Sequence, residues 1–148
     1  MKLKLPLAAA FVAALSLSAC GGSSSDSSSS TSSTTVASPA ALTYIDNVVG
    51  IAPQAQAGHN VTVTYTAYLY STTATNNEGT EVDAGTISFT LGTGQEVKGF
   101  DEGVQNMYLG GTRTILVPAS LAYGSSGSGA VPANSGMVFV VQLISVNT

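Results

Sequence analysis

Chemistry-bearing side chains are scarce in this chain. Its 148 residues include one cysteine and one histidine, and only 8% of them are charged, against roughly 25% in an average soluble protein. One cysteine excludes an internal disulfide and a cysteine-based zinc cage. One histidine argues against a His-rich metal site. Four basic residues against eight acids give a net charge of −4; that argues against a nucleic-acid footprint, which needs a basic patch. The apolar run from Leu5 to Leu17 is about 13 residues long, and a membrane-spanning helix needs ~20. The length suits one domain.

What is present divides the chain into three parts. Lys2 and Lys4, the short apolar run and small residues before a cut site describe a secretory signal peptide over residues 1–19. Leu17-Ser18-Ala19-Cys20 resembles the lipobox of bacterial lipoproteins. That resemblance implies cleavage before Cys20, lipid on Cys20 and, with Gly21 following, sorting to the outer membrane, facing the periplasm or the cell surface. Cleavage leaves Lys98 and Arg113 against all eight acids, a mature charge of −6. Such a surface has no attraction for anionic headgroups, so the lipid alone would hold the membrane. Residues 20–41 read as the lipidated cysteine and a disordered tether, because residues 21–39 hold ten Ser, three Thr and two Gly and offer almost nothing to bury.

The third part, residues 42–148, is long enough for one core. Val61, Val63, Tyr65, Ala67 and Leu69 alternate with polar or tyrosine neighbours, the pattern of a half-buried strand. Residues 71–80 read as a polar loop. Ile87, Phe89 and Leu91 continue an alternating strand, Arg113 to Val117 form another, and Leu42 to Val49 one more. Met137 to Val146 is apolar on both faces, which predicts a central strand. Phe100, Val104, Met107 and Tyr108 have helical spacing, with Asp101 and Glu102 in the first turn and Gly110 or Gly111 as the stop. These elements predict an α+β fold: an antiparallel sheet of about five strands with one short helix packed on it.

Nucleophilic and phosphate chemistry find little support. His59, beside Gly58 at a strand start, reads as an exposed turn residue rather than a triad base. The serines of residues 124–129 do not fit G-x-S-x-G, and the glycine-rich stretch from Gly92 lacks the Lys-Ser/Thr of a phosphate loop. Asp83 stands out as a carboxylate in apolar surroundings; the residues alone also allow a turn cap there.

Five motifs in order narrow the choice. They are Val63-Thr64-Tyr65-Thr66, then Gly79-Thr80-Glu81-Val82-Asp83, then the run from Gly94 to Val104 containing Glu96-Val97-Lys98-Gly99-Phe100-Asp101, then Leu121-Ala122-Tyr123-Gly124, then Val131-Pro132 with Met137-Val138-Phe139. Over roughly residues 58–146 this arrangement resembles the FKBP-type peptidyl-prolyl isomerases. The resemblance implies a bent antiparallel sheet wrapped over the helix. It implies Asp83, Tyr123 and Phe100 as catalytic residues, with Phe100 on the pocket floor where many members have Trp. It implies Tyr65, Val82, Ile87, Glu96, Val97, Val131 and Phe139 as substrate-binding residues, Val97 through its backbone N–H. Partners would be proline-containing polypeptides and macrolide ligands, with no cofactor, no metal and no nucleic acid. Residues 20–41 show no helical periodicity, so a monomer is expected. Val82 and Ile87 stand where the family favours aromatics, and Ser128 replaces a frequent His. The pocket is therefore expected to be shallower, with weaker activity and reduced macrolide affinity. A non-catalytic chaperone or binding module on the same scaffold is the alternative.

Overall fold

Period-2 alternation places Val61, Val63 and Ala67 on one face of a strand and Thr62, Thr64 and Thr66 on the other, and the former are buried. In a computed structural model describing residues 36–148, that strand is β3 (Asn60–Tyr70). The other strands are β1 (Thr43–Val48), β2 (Ile51–Gln54), β4 (Glu78–Thr90), β5 (Tyr108–Leu109), β6 (Thr112–Val117) and β7 (Met137–Asn147). Five of them form one antiparallel sheet in the order β1-β6-β7-β3-β4, and β2 pairs with β5 separately. β7 is central, as its two apolar faces require. The helix α1 (Lys98–Val104) lies against this sheet, and Phe100, Val104 and Met107 join Ile115, Phe139 and Val141 in a single core. Residues 1–35, which include the expected signal peptide, Cys20 and most of the expected tether, lie outside the described residues. No helix among the described residues is long and apolar enough to cross a membrane.

Several expectations need correction. The helix begins at Lys98 and ends at Val104 rather than continuing to Tyr108. Gln105 turns extended and Asn106 adopts a left-handed backbone (φ 64°). The freed groups then bond to the chain before β3: Ala55 N–H donates to the Met107 carbonyl (2.8 Å) and Asn106 N–H to the Ala55 carbonyl (2.8 Å). The polar loop is shorter than residues 71–80, because β4 already starts at Glu78. Register shifts on either side of Tyr68 break the alternation there, so the first half of β4 carries no period-2 signal. Asp83 consequently sits inside a strand opposite Ala67, not at a turn. His59 is half-buried rather than exposed. Two residues ahead of β1 bond to the domain: Gly136 N–H donates to the Ala37 carbonyl (3.0 Å) and Ala119 N–H to Ser38 Oγ (3.0 Å).

Arg113 ties the fold together. Its side chain is buried, its NH1 group donates to the carbonyls of Gly103 (2.8 Å) and Gln105 (3.0 Å) at the helix C-terminus, and Nε pairs with Asp46 on β1. The guanidinium also stacks 4.1 Å from the Tyr44 ring centroid. Arg113→Ala is expected to lower the urea unfolding free energy by about 3 kcal/mol, since it strips charged hydrogen bonds from a buried carbonyl. Asp46→Ala is expected to lower it by less than ~1 kcal/mol, because that carboxylate is 39% exposed. Equal losses in the two variants would place the weight on the ion pair instead.

Candidate active site

Phe100 sits where it does because two small residues let its helix approach the sheet. Gly99 and Gly103, one helical turn apart, face β6; a Cβ on Gly99 would overlap the Val117 side chain, and one on Gly103 would lie 2.6 Å from the Ile115 side chain. Asp101, expected with Glu102 as a helix-start residue, has a different task. It is buried, and its carboxylate accepts the N–H groups of Gly92 (2.9 Å) and Gly94 (3.3 Å). It thereby fixes the loop that delivers Glu96 and Val97. Glu102 is exposed.

The ring of Phe100 is 3% exposed and forms the floor of a cavity of about 230 Å³. Phe139 meets it edge-on at 5.0 Å, Tyr65 edge-on at 5.8 Å, and Phe89 at a tilt at 5.7 Å. All ten pocket residues expected from the sequence line this one cavity: Tyr65, Val82, Asp83, Ile87, Glu96, Val97, Phe100, Tyr123, Val131 and Phe139. Ala67, Gly129, Ala130 and Met137 line it too. Strand alternation could have found two of these, since Ala67 shares a face with Tyr65 and Met137 with Phe139. Ser128, noted as a substitution, is also in the wall. It exchanges backbone hydrogen bonds with Val131 (2.8 and 2.9 Å), while Gly127 N–H donates to the Tyr123 carbonyl (3.2 Å). These bonds hold the loop that joins Tyr123 to Val131.

The polar groups are few. Tyr65 donates its hydroxyl to Asp83 Oδ2 at 2.6 Å. That hydrogen bond, then burial, then the Asp83 charge push the phenol from its ordinary 10.0 to about 12. Burial pushes the Tyr123 phenol up as well, helped by Asp83 and Glu96. Among the described residues, the Val97 N–H and the Tyr123 hydroxyl have no protein hydrogen-bond partner. Also among the described residues, no three His, Cys, Asp or Glu side chains cluster closely enough to hold a metal ion. The arrangement is an apolar slot with a few fixed donors and one oriented carboxylate, suited to holding a small apolar ring beside an amide.

The Tyr65 phenol is held protonated more strongly in the folded chain than in the unfolded one. Its contribution to stability is therefore complete below pH 10.0 and is lost as pH rises through about 12. Asp83→Ala removes the acceptor. The Tyr65 ring carbon, followed by NMR, should then titrate closer to 10.0, and the loss of stability above pH 10.0 should become smaller. An unchanged titration would show that burial alone sets the shift.

The comparisons with known proteins agree with this geometry. The family model described as "FKBP-type peptidyl-prolyl cis-trans isomerase" matches residues 52–144. An "FK506-binding protein" of Streptomyces anulatus is 41% identical over 115 residues, covering 73% of this chain and 88% of that protein. "FK506-binding protein 1" of Aspergillus oryzae is 32% identical, covering 66% and 91%. Among solved structures, AtFKBP13 superposes with a TM-score of 0.62 at 30% identity, covering 73% of this chain and 94% of that one. FkpA from Escherichia coli gives 0.61 at 30% identity, covering 72% and 48%. With the fold, the cavity and the relatives in agreement, the chain belongs to the FKBP-type peptidyl-prolyl cis-trans isomerases.

Proposed function

We propose that this isomerase turns prolyl bonds of exported polypeptides at the cell envelope, held there by lipid on Cys20. The observation that carries the catalytic part is the cavity itself: a Phe100 floor, the Tyr65–Asp83 pair, and the unpartnered Val97 N–H and Tyr123 hydroxyl around one apolar slot. Rotation about an X–Pro bond is slow because amide resonance sets a barrier near ~20 kcal/mol. The twisted state has lost that resonance, and a site that binds it better than the planar amide lowers the barrier. In this reading, Phe100 and Phe139 hold the pyrrolidine ring. Val97 N–H and Tyr123 Oη donate to substrate carbonyls, and Asp83, steadied by Tyr65, faces the rotating carbonyl. No covalent intermediate is involved. The anchor rests on the Leu17-Ser18-Ala19-Cys20 motif after a short apolar run, and the Ser-rich stretch behind it supplies reach of roughly 25 Å.

A second reading, a non-catalytic FKBP-like binding module, draws support from the thin walls at Val82 and Ile87. A protease-free isomerisation assay on proline peptides separates the two. The wild type is expected to accelerate isomerisation, with Asp83→Ala or Tyr123→Phe lowering kcat/KM about tenfold, equivalent to ~1.4 kcal/mol. An inactive wild type would remove the enzyme and leave the binding module. Val82→Phe is expected to raise kcat/KM about fivefold, because a ring restores ~1 kcal/mol of apolar contact, and to tighten macrolide binding in the same variant. Cys20→Ala in the full chain should move the protein from the membrane to the soluble fraction; retention in the membrane would overturn the lipid anchor.

A further inference from the structure

The cavity carries more negative charge than the isomerase reading uses. Asp83 and Glu96 are the charged residues of its lining, and no lysine or arginine shares the wall. Asp83 is engaged by Tyr65. Glu96 is half-buried and, among the described residues, has neither a hydrogen bond nor an ion pair; the ion pair found there is that of Arg113 with Asp46. Lys98, two positions along, lines a separate surface hollow that Glu96 also borders, together with Asp101 and Glu102. Glu96 therefore stands on the ridge between the apolar slot and a polar hollow. Arg113 is committed to the helix carbonyls and lines neither the slot nor the hollow.

A carboxylate that has lost part of its water without gaining a partner is destabilised, and the surroundings show it. Burial raises the Glu96 carboxyl, with Asp101 adding to the effect, and Glu96 in turn raises both Tyr65 and Tyr123. A cation brought to this ridge relieves that cost, and a second anion adds to it. A prolyl peptide would do either according to its sequence. With the ring seated on Phe100, the side chains flanking proline are the groups presented to the rim. Ser128, Gly129 and Ala130 in the wall offer no charge of their own to bias the choice.

We propose that Glu96 is a specificity residue, with the Asp83 charge behind it, selecting prolyl substrates that carry lysine or arginine next to the proline and discriminating against those with aspartate or glutamate there. This inference rests on the isomerase reading above. Its test uses short peptides that differ only at the residue before or after proline, with lysine, leucine or glutamate in that place, in the protease-free assay.

The wild type is expected to turn over the better-placed lysine peptide about fivefold faster in kcat/KM than its glutamate counterpart, with leucine between them. The difference should fall towards unity in molar salt, where the screening length drops to ~3 Å. Glu96→Gln should shrink the lysine-to-glutamate ratio and Glu96→Lys should invert it. Because each ratio is taken within one variant, a general loss of rate cancels. If a variant proves inactive, the wild-type ratio and its salt dependence decide alone. Equal rates for lysine and glutamate peptides, with the leucine peptide turned over normally, would overturn the proposal and leave the isomerase intact. No turnover of any peptide would instead overturn the isomerase reading.

Discussion

Everything at the site depends on a helix that cannot hold itself. Seven residues provide less than two turns, far below the length at which an isolated helix persists in water. Its position is imposed from outside at both ends. At the start, the Asp101 carboxylate binds the loop N–H groups of Gly92 and Gly94; at the finish, Arg113 reaches from β6 to the last carbonyls. Between these pins, Gly99 and Gly103 allow contact with Val117 and Ile115 that any larger residue would forbid. Phe100 is thus located by groups that never touch a substrate. Two of the chain's few charged side chains, Asp101 and Arg113, serve to fix this one short segment.

The second dependence is aromatic. Phe89, Phe139 and Tyr65 come from β4, β7 and β3, and each contacts the ring carried by α1. Three strands and the helix therefore share a common point, and the cavity opens where that cluster stops. Its polar groups are held by strand or loop geometry rather than by long flexible side chains: Asp83 by pairing with Ala67, Val97 at the helix start, Tyr123 by the bonds around Gly127 and Val131. Little reorganisation is left for the moment a substrate arrives, which is what stabilisation of a twisted amide requires.

How much of this was legible in the sequence differs by element. β3 and β7 were, one by alternation and the other by an unbroken apolar run, because each pattern follows directly from which faces are covered. The first half of β4 was not, since the bulges beside Tyr68 shift its register and scramble the alternation on which such a reading relies. The end of the helix was missed because apolar spacing persists through Met107, which remains buried after the backbone has already turned at Asn106. β2 and β5 are too short to leave a periodic signal. For the site, the motif order brought together the residues that line the cavity, yet the buried task of Asp101 was hidden by its exposed neighbour Glu102, which also carries a carboxylate. No local pattern separates two adjacent carboxylates when only the tertiary fold decides which one meets the loop.

The strap formed by Ala37 and Ser38 gives the domain a mechanical character. A pull on the chain at Val36 would reach the fold at the Ala37 carbonyl, bonded to Gly136, and at Ser38 Oγ, bonded to Ala119. Gly136 adjoins Met137 of the cavity wall, and Ala119 begins the short turn that leads to Tyr123. Two isolated hydrogen bonds give way one after the other under load, whereas the β3–β7 ladder would have to fail together. Residues 36–41 would thus come away first, a weak link that spares the sheet while loosening the rim of the slot.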